Sequence, residues 1–90
     1  MLQITKPAGD TIQQVLSSVT EVEDPRVRIG ATAEGVKMAI DKERPGDTVV
    51  EHEGEAVIVM DSATSDRLLD RRLDVDTNTS QFVFKGAEGS

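Results

Sequence analysis

The sequence holds no cysteine, no tryptophan and no tyrosine, and Phe82 and Phe84 are its only aromatic residues. Without cysteine there is no disulfide, no thiol nucleophile and no thiolate-bound zinc or iron–sulfur cluster. Without exposed aromatic faces there is no platform on which nucleic-acid bases stack. Positive charge is also scarce, with 10 Lys and Arg against 17 Asp and Glu, a formal net charge of -7. Nucleic acids are polyanions and are repelled by such a surface over about one Debye length. The arginines at 67, 71 and 72 are offset by Asp66, Asp70 and Asp74. No apolar run approaches the roughly 20 residues of a membrane span, and no basic segment precedes an apolar one as in a secretion signal. The expectations are no nucleic acid, no membrane and a cytoplasmic setting. Asn78-Thr79-Ser80 fits a glycosylation sequon and is read as coincidence in that setting.

What remains is Val, Ile, Leu, Ala and Met in patterns that change along the chain. Ninety residues suit one domain. Leu2 to Ile4 reads as a short strand. Thr5 is a candidate helix N-cap and Pro7 sits in the first turn, where a missing N–H costs nothing. Ala8, Ile12, Val15, Leu16 and Val19 recur at helical spacing, although Gly9 weakens such a helix by roughly 1 kcal/mol relative to alanine. An acidic linker runs from Thr20 to Pro25.

From Arg26 the period becomes two. Val27, Ile29 and Ala31 alternate with polar residues, Glu34-Gly35 turns, and Val36, Met38 and Ile40 alternate again. Asp41 to Asp47 is a charged loop closed by Pro45-Gly46. Thr48 to His52 forms a strand, Glu53-Gly54 turns, and Ala56 to Met60 returns as an unbroken apolar run, the mark of a strand covered on both faces. Asp61 or Ser62 caps a short helix reaching Leu69, with Leu68 and Leu69 inward. Leu73 and Val75 mark another strand, Thr77 to Ser80 a polar turn, and Phe82 to Phe84 the last strand. About six short strands with two helices predict an α+β fold of small antiparallel or mixed sheets, sandwich-like. Residues 1–85 form the domain, and Gly86 to Ser90 are expected to fray as a tail.

That order of elements resembles the HesB/IscA-type iron–sulfur cluster assembly domain. Ile4-Thr5 followed by Ala8, Ile12, Val15 and Leu16 is similar to the family's opening helix, and Arg28-Ile29-Gly30 leading to Gly35 to its glycine-rich hairpin. Gly46-Asp47 with Val49-Val50-Glu51-His52-Glu53-Gly54 resembles the central hairpin. Asp61, Thr64 (usually Ser), Leu68 and Leu73-Asp74 keep the spacing of the next segment, and Phe82-Val83-Phe84 matches the final strand. The likeness is best from Gly46 to Phe84.

The departures concern chemistry. The resemblance implies three ligand cysteines, one just after the glycine turn and two in a Cys-Gly-Cys. Val36 occupies the first position, and the other two have no counterpart among the 90 residues. The loop from Ile40 to Pro45 is shorter than the family's, and Asp70 stands where it has glycine. Soft thiolates select clusters, and valine offers no donor atom. The resemblance thus implies a cysteine-less relative, with no cofactor expected and no cofactor-binding residue, acting as a non-catalytic accessory or interaction module that binds a protein partner or a second copy.

An alternative is a weak iron carrier that uses His52, the one histidine, with carboxylates. Against it, Glu51 and His52 point to opposite faces of a regular strand. Asp61, Asp66, Asp70, Asp74 and Asp76 have no EF-hand spacing and read as solvated charge. No serine lies in a nucleophile motif, so an enzyme is not expected.

Overall fold

The computed structural model describes residues 2–76 and 78–86. In chain order it contains β1 (Gln3–Ile4), α1 (Lys6–Ser17), β2 (Arg26–Thr32), β3 (Gly35–Asp41), β4 (Thr48–His52), β5 (Glu55–Met60), α2 (Ser62–Arg67), β6 (Arg71–Asp76) and β7 (Gln81–Gly86). The strands form two sheets, one ordered β1-β6-β7 and the other β3-β2-β5-β4. β1 pairs with β6, and β2 with β5, in parallel; the other ladders are antiparallel. The α+β class with small mixed sheets and an N-terminal helix is thus as the sequence implies.

The core lies between the sheets and α1. Ile12, Ile29, Ile58, Met60 and Leu73 are its large fully buried side chains. The apolar run of β5 is central in its sheet, and Val57 to Met60 are all buried. A β-bulge accounts for two consecutive core residues there. Val50 faces Ile58 while Glu51 faces Ala56, so Val57 is the extra residue and turns inward beside Ile58.

Turn chemistry sets the hairpins. Gly46 has φ 87, and Asp47 N donates to Arg44 O at 3.0 Å, closing a type II turn with Pro45 and Gly46 at its centre. Glu53 and Gly54 have φ 53 and 83, the paired left-handed residues of a two-residue hairpin turn. Thr5 caps α1 by accepting from Ala8 N at 3.3 Å, and also donates to Asp74 Oδ1 at 2.8 Å on β6. One hydroxyl therefore starts the helix and ties it to the three-stranded sheet.

Four expectations are corrected. Val15 is 42% exposed and α1 ends at Ser17, before Val19. The buried stripe runs through Ala8, Ile12 and Leu16 toward Gly9, which rotates Val15 outward. Leu69 is exposed, because the helix stops at Arg67 and Arg71 N donates back to Leu68 O, leaving Leu68 alone to point inward. On β3 only Met38 packs against the core; Val36 and Ile40 share its face, opposite Ala31 and Val27, but stay exposed because that strand is a sheet edge. Gly86 ends β7 and pairs with Arg71, so it is not part of a tail; residues 87–90 lie outside the described residues, as does Thr77 of the expected polar turn.

Candidate functional site

His52 closes β4, and its side chain is only 11% exposed. Its ring lies against α1 at Gly9, where an added Cβ would collide with Nδ1, Cγ and Cε1. On the other side of the ring, Nε2 is 3.0 Å from Asp10 Oδ1 and 3.7 Å from Glu53 Oε1. Donor atoms of Asp10, His52 and Glu53 all lie within 4.8 Å of one another, the one such metal-capable grouping among the described residues.

Each element has a local reason to deliver its group. The objection that neighbours on a strand diverge holds for Glu51. Glu53 escapes it, because a positive φ takes it off the strand and swings its carboxylate to the side of His52. Asp10 comes from the first half of α1, a partner that sequence reading did not find. Gln13 Nε2 donates to His52 O at 3.2 Å and anchors the strand end to the helix.

Lys6 completes the cluster. Its Nζ is 2.8 Å from Asp10 Oδ2 and 3.6 Å from Glu53 Oε1. Hydrogen bonding from Lys6, then from His52, holds the Asp10 carboxyl below its ordinary range, and Asp10 in turn raises Lys6. The ammonium thus stands where two carboxylates converge.

The other anticipated positions are dispersed. Val36 follows the β2–β3 turn on an edge strand, at the opposite edge of the same sheet from His52. Strand spacing separates those edges by roughly 14 Å. The acidic stretch does not converge on one point. Asp61 caps α2 through Thr64 N at 2.8 Å, Asp74 accepts from Thr5 and Lys85, and Asp76 accepts from Asn78 N. Ser62 is the first residue of α2, leaving Asp61 as its cap.

Arg28 is a partly buried electrostatic hub of the fold. It donates from Nε to Asp41 at 2.6 Å, from Nη1 and Nη2 to Asp47 at 3.1 and 2.6 Å, and from Nη2 to Lys42 O at 3.0 Å. This fork locks the 41–47 loop to β2 and makes it a structural device. Between β1 and β4, a groove of about 610 Å³ is lined by Leu2, Gln3, Ile4, Val49, Val50, Glu51 and His52. β1 and β4 are edges of different sheets.

No protein-family profile matches the chain, and no curated protein matches it by sequence. Solved structures do match. Escherichia coli SufA, described as involved in biosynthesis of iron–sulfur clusters, aligns with a TM-score of 0.70 at 17% identity, over 98% of this chain and 87% of that one. IscA bearing a [2Fe-2S] cluster aligns with a TM-score of 0.64 at 15% identity, over 100% of this chain and 88% of that one. A protein from Aquifex aeolicus, solved in solution by NMR, aligns with a TM-score of 0.65 at 25% identity, over 94% and 90%. The fold is therefore of the HesB/IscA type, the class to which the sequence motifs pointed. This particular chain is a version of that fold whose 90 residues include no cysteine. Its donors are oxygen and one imidazole, a set that does not fit an iron–sulfur cluster. No helix among the described residues is long and apolar enough to cross a membrane.

Proposed function

We propose that the chain is a non-catalytic accessory module of iron–sulfur cluster biogenesis that engages a protein partner and leaves thiol ligation to it. The reading is carried by one combination: a fold shared with SufA and IscA over 98% and 100% of the chain, in a sequence with no thiolate.

The groove between β1 and β4 is the natural docking place. Edge strands carry backbone N–H and C=O groups that can pair with an incoming strand. The half-buried Ile4 and Val49 supply apolar contact, and Glu51 together with the acidic surface favours a partner segment carrying Lys or Arg.

The test is a titration of the isotopically labelled chain with a cysteine-bearing protein of the same fold, SufA, followed by NMR. Saturable shifts confined to β1 and β4, with the chain alone taking up no cluster, are the expected result. A cluster assembled on the chain alone would contradict the reading.

A further inference from the structure

Lys6, Gly9, Asp10 and Gln13 are spaced three, four and seven residues from the first, which places them on one stripe of a helix. All four meet the β4–β5 turn: Gly9 makes room for the imidazole, Gln13 bonds the His52 carbonyl, and Lys6 and Asp10 reach His52 and Glu53. This stripe is separate from the buried one through Ala8, Ile12 and Leu16. Its effect is to pack the face of the His52 ring, on its Nδ1 side, against the helix at Gly9 and to leave Nε2 beside two carboxylates.

From this geometry we infer that Asp10, His52 and Glu53 form a three-ligand site for a borderline divalent cation of the zinc, cobalt(II) or iron(II) kind, completed by water, with the Lys6 ammonium as its intramolecular competitor. The inference goes beyond the accessory reading and does not rest on it. The site uses no sulfur and sits at the sheet edge opposite Val36.

The distances fit. Ligands at zinc-like bond lengths of about 2.0–2.2 Å lie roughly 3 to 3.6 Å from each other. Nε2 is already 3.0 Å from Asp10 Oδ1 and 3.7 Å from Glu53 Oε1, so small side-chain rotations suffice. Imidazole with two carboxylates suits a borderline ion better than a soft one, and three protein ligands leave positions open for water. Asp10 offers its Oδ1 to His52 while its Oδ2 meets Lys6, so one carboxylate oxygen already points at the proposed ion position. Coordination uses the Nε2 lone pair, so the bound form is the neutral tautomer with its hydrogen on Nδ1.

Lys6 marks the same place as cation-seeking. Its side chain is 72% exposed, so it leaves for solvent without breaking any packing. An exposed ion pair of this kind is weak in water, and a divalent ion concentrates more charge at the carboxylates than an ammonium does. The site is therefore blocked only lightly.

The experiment is a cobalt(II) titration of the full chain, reading visible ligand-field absorption and, by equilibrium dialysis, stoichiometry. The wild type should take up one equivalent. Lys6→Met should tighten binding by about threefold or more as the competing charge is lost. Asp10→Asn and His52→Gln should each weaken it by more than about tenfold. Asp10→Asn changes a half-exposed side chain and keeps its shape, so circular dichroism is expected to show an intact fold and the loss stays interpretable. Absence of binding to Lys6→Met at millimolar cobalt would overturn the site. So would weak binding shared equally by all variants, which would mark diffuse association with surface carboxylates.

Discussion

The imidazole of His52 lies so close to α1 that the helix has no room for even a methyl group at Gly9. Helix propensity alone predicts that Gly9→Ala stabilises the protein by up to about 1 kcal/mol. The contact predicts the reverse. To admit the methyl, the ring must leave its position and with it the 3.0 Å contact to Asp10, so Gly9→Ala should destabilise by about 1–3 kcal/mol. In a His52→Ala background the same change should become neutral or stabilising. Urea denaturation of the four proteins measures the cycle, and additivity would show that the contact is not formed.

The Arg28 fork is expected to matter more than any surface ion pair. Asp47 is 7% exposed at its side chain and receives two of the guanidinium donors. Asp47→Ala strands part of that guanidinium and frees the Arg44–Asp47 turn, at a cost of about 2–3 kcal/mol. Arg28→Lys should not rescue geometry that depends on a planar fork. Thermal unfolding of both variants against the wild type checks this.

The same cluster sets a pH dependence. The Asp47 carboxyl is held below its ordinary value of 3.8 mainly by Arg28, and Asp41 by the Lys42 backbone N–H and then Arg28. A carboxyl depressed in the folded state binds its proton first in the unfolded chain, so its stabilisation is full above the unfolded value and is lost as pH falls through the folded one. Stability should therefore drop below about pH 4, and the gap between wild type and Asp47→Ala should narrow there. A gap independent of pH would point to packing instead of charge.

Thr5 is predicted to couple two elements. Its hydroxyl accepts from Ala8 N and donates to Asp74, so Thr5→Ala should cost about 1–2 kcal/mol, the range of a lost N-cap. A Thr5→Ala, Asp74→Ala double variant should be less destabilised than the sum of the two singles. Calorimetry on the set decides it.

The strands and turns were legible because each rests on local chemistry: period-two alternation at Val27 and Ile29, Pro45-Gly46 in a turn that needs a positive φ, and an apolar run at Val57 to Met60 that only a central strand can bury. Errors arose where tertiary contact chooses among local options. Val15 obeys helical spacing yet faces out, and Leu69 is as apolar as Leu68 yet lies past the helix end. His52 was visible as a candidate from its uniqueness. Asp10 was not, because 42 residues separate the two and nothing local announces their meeting. Gly9 was the available clue. A glycine inside an amphipathic helix signals something close to its backbone, and the Lys6–Gly9–Asp10–Gln13 stripe is the second face that it serves.

We propose that this fold persists here without the chemistry of a sulfur-ligated cluster. Anaerobic incubation with iron and sulfide, then desalting and measurement of acid-labile sulfide and the visible spectrum, tests it most directly. The lack of Trp and Tyr leaves a clear optical window. The expected result is no bound sulfide and no sulfide-to-iron absorption, with any retained iron lost in His52→Gln. Stoichiometric iron and sulfide with the absorption of a cluster would contradict it.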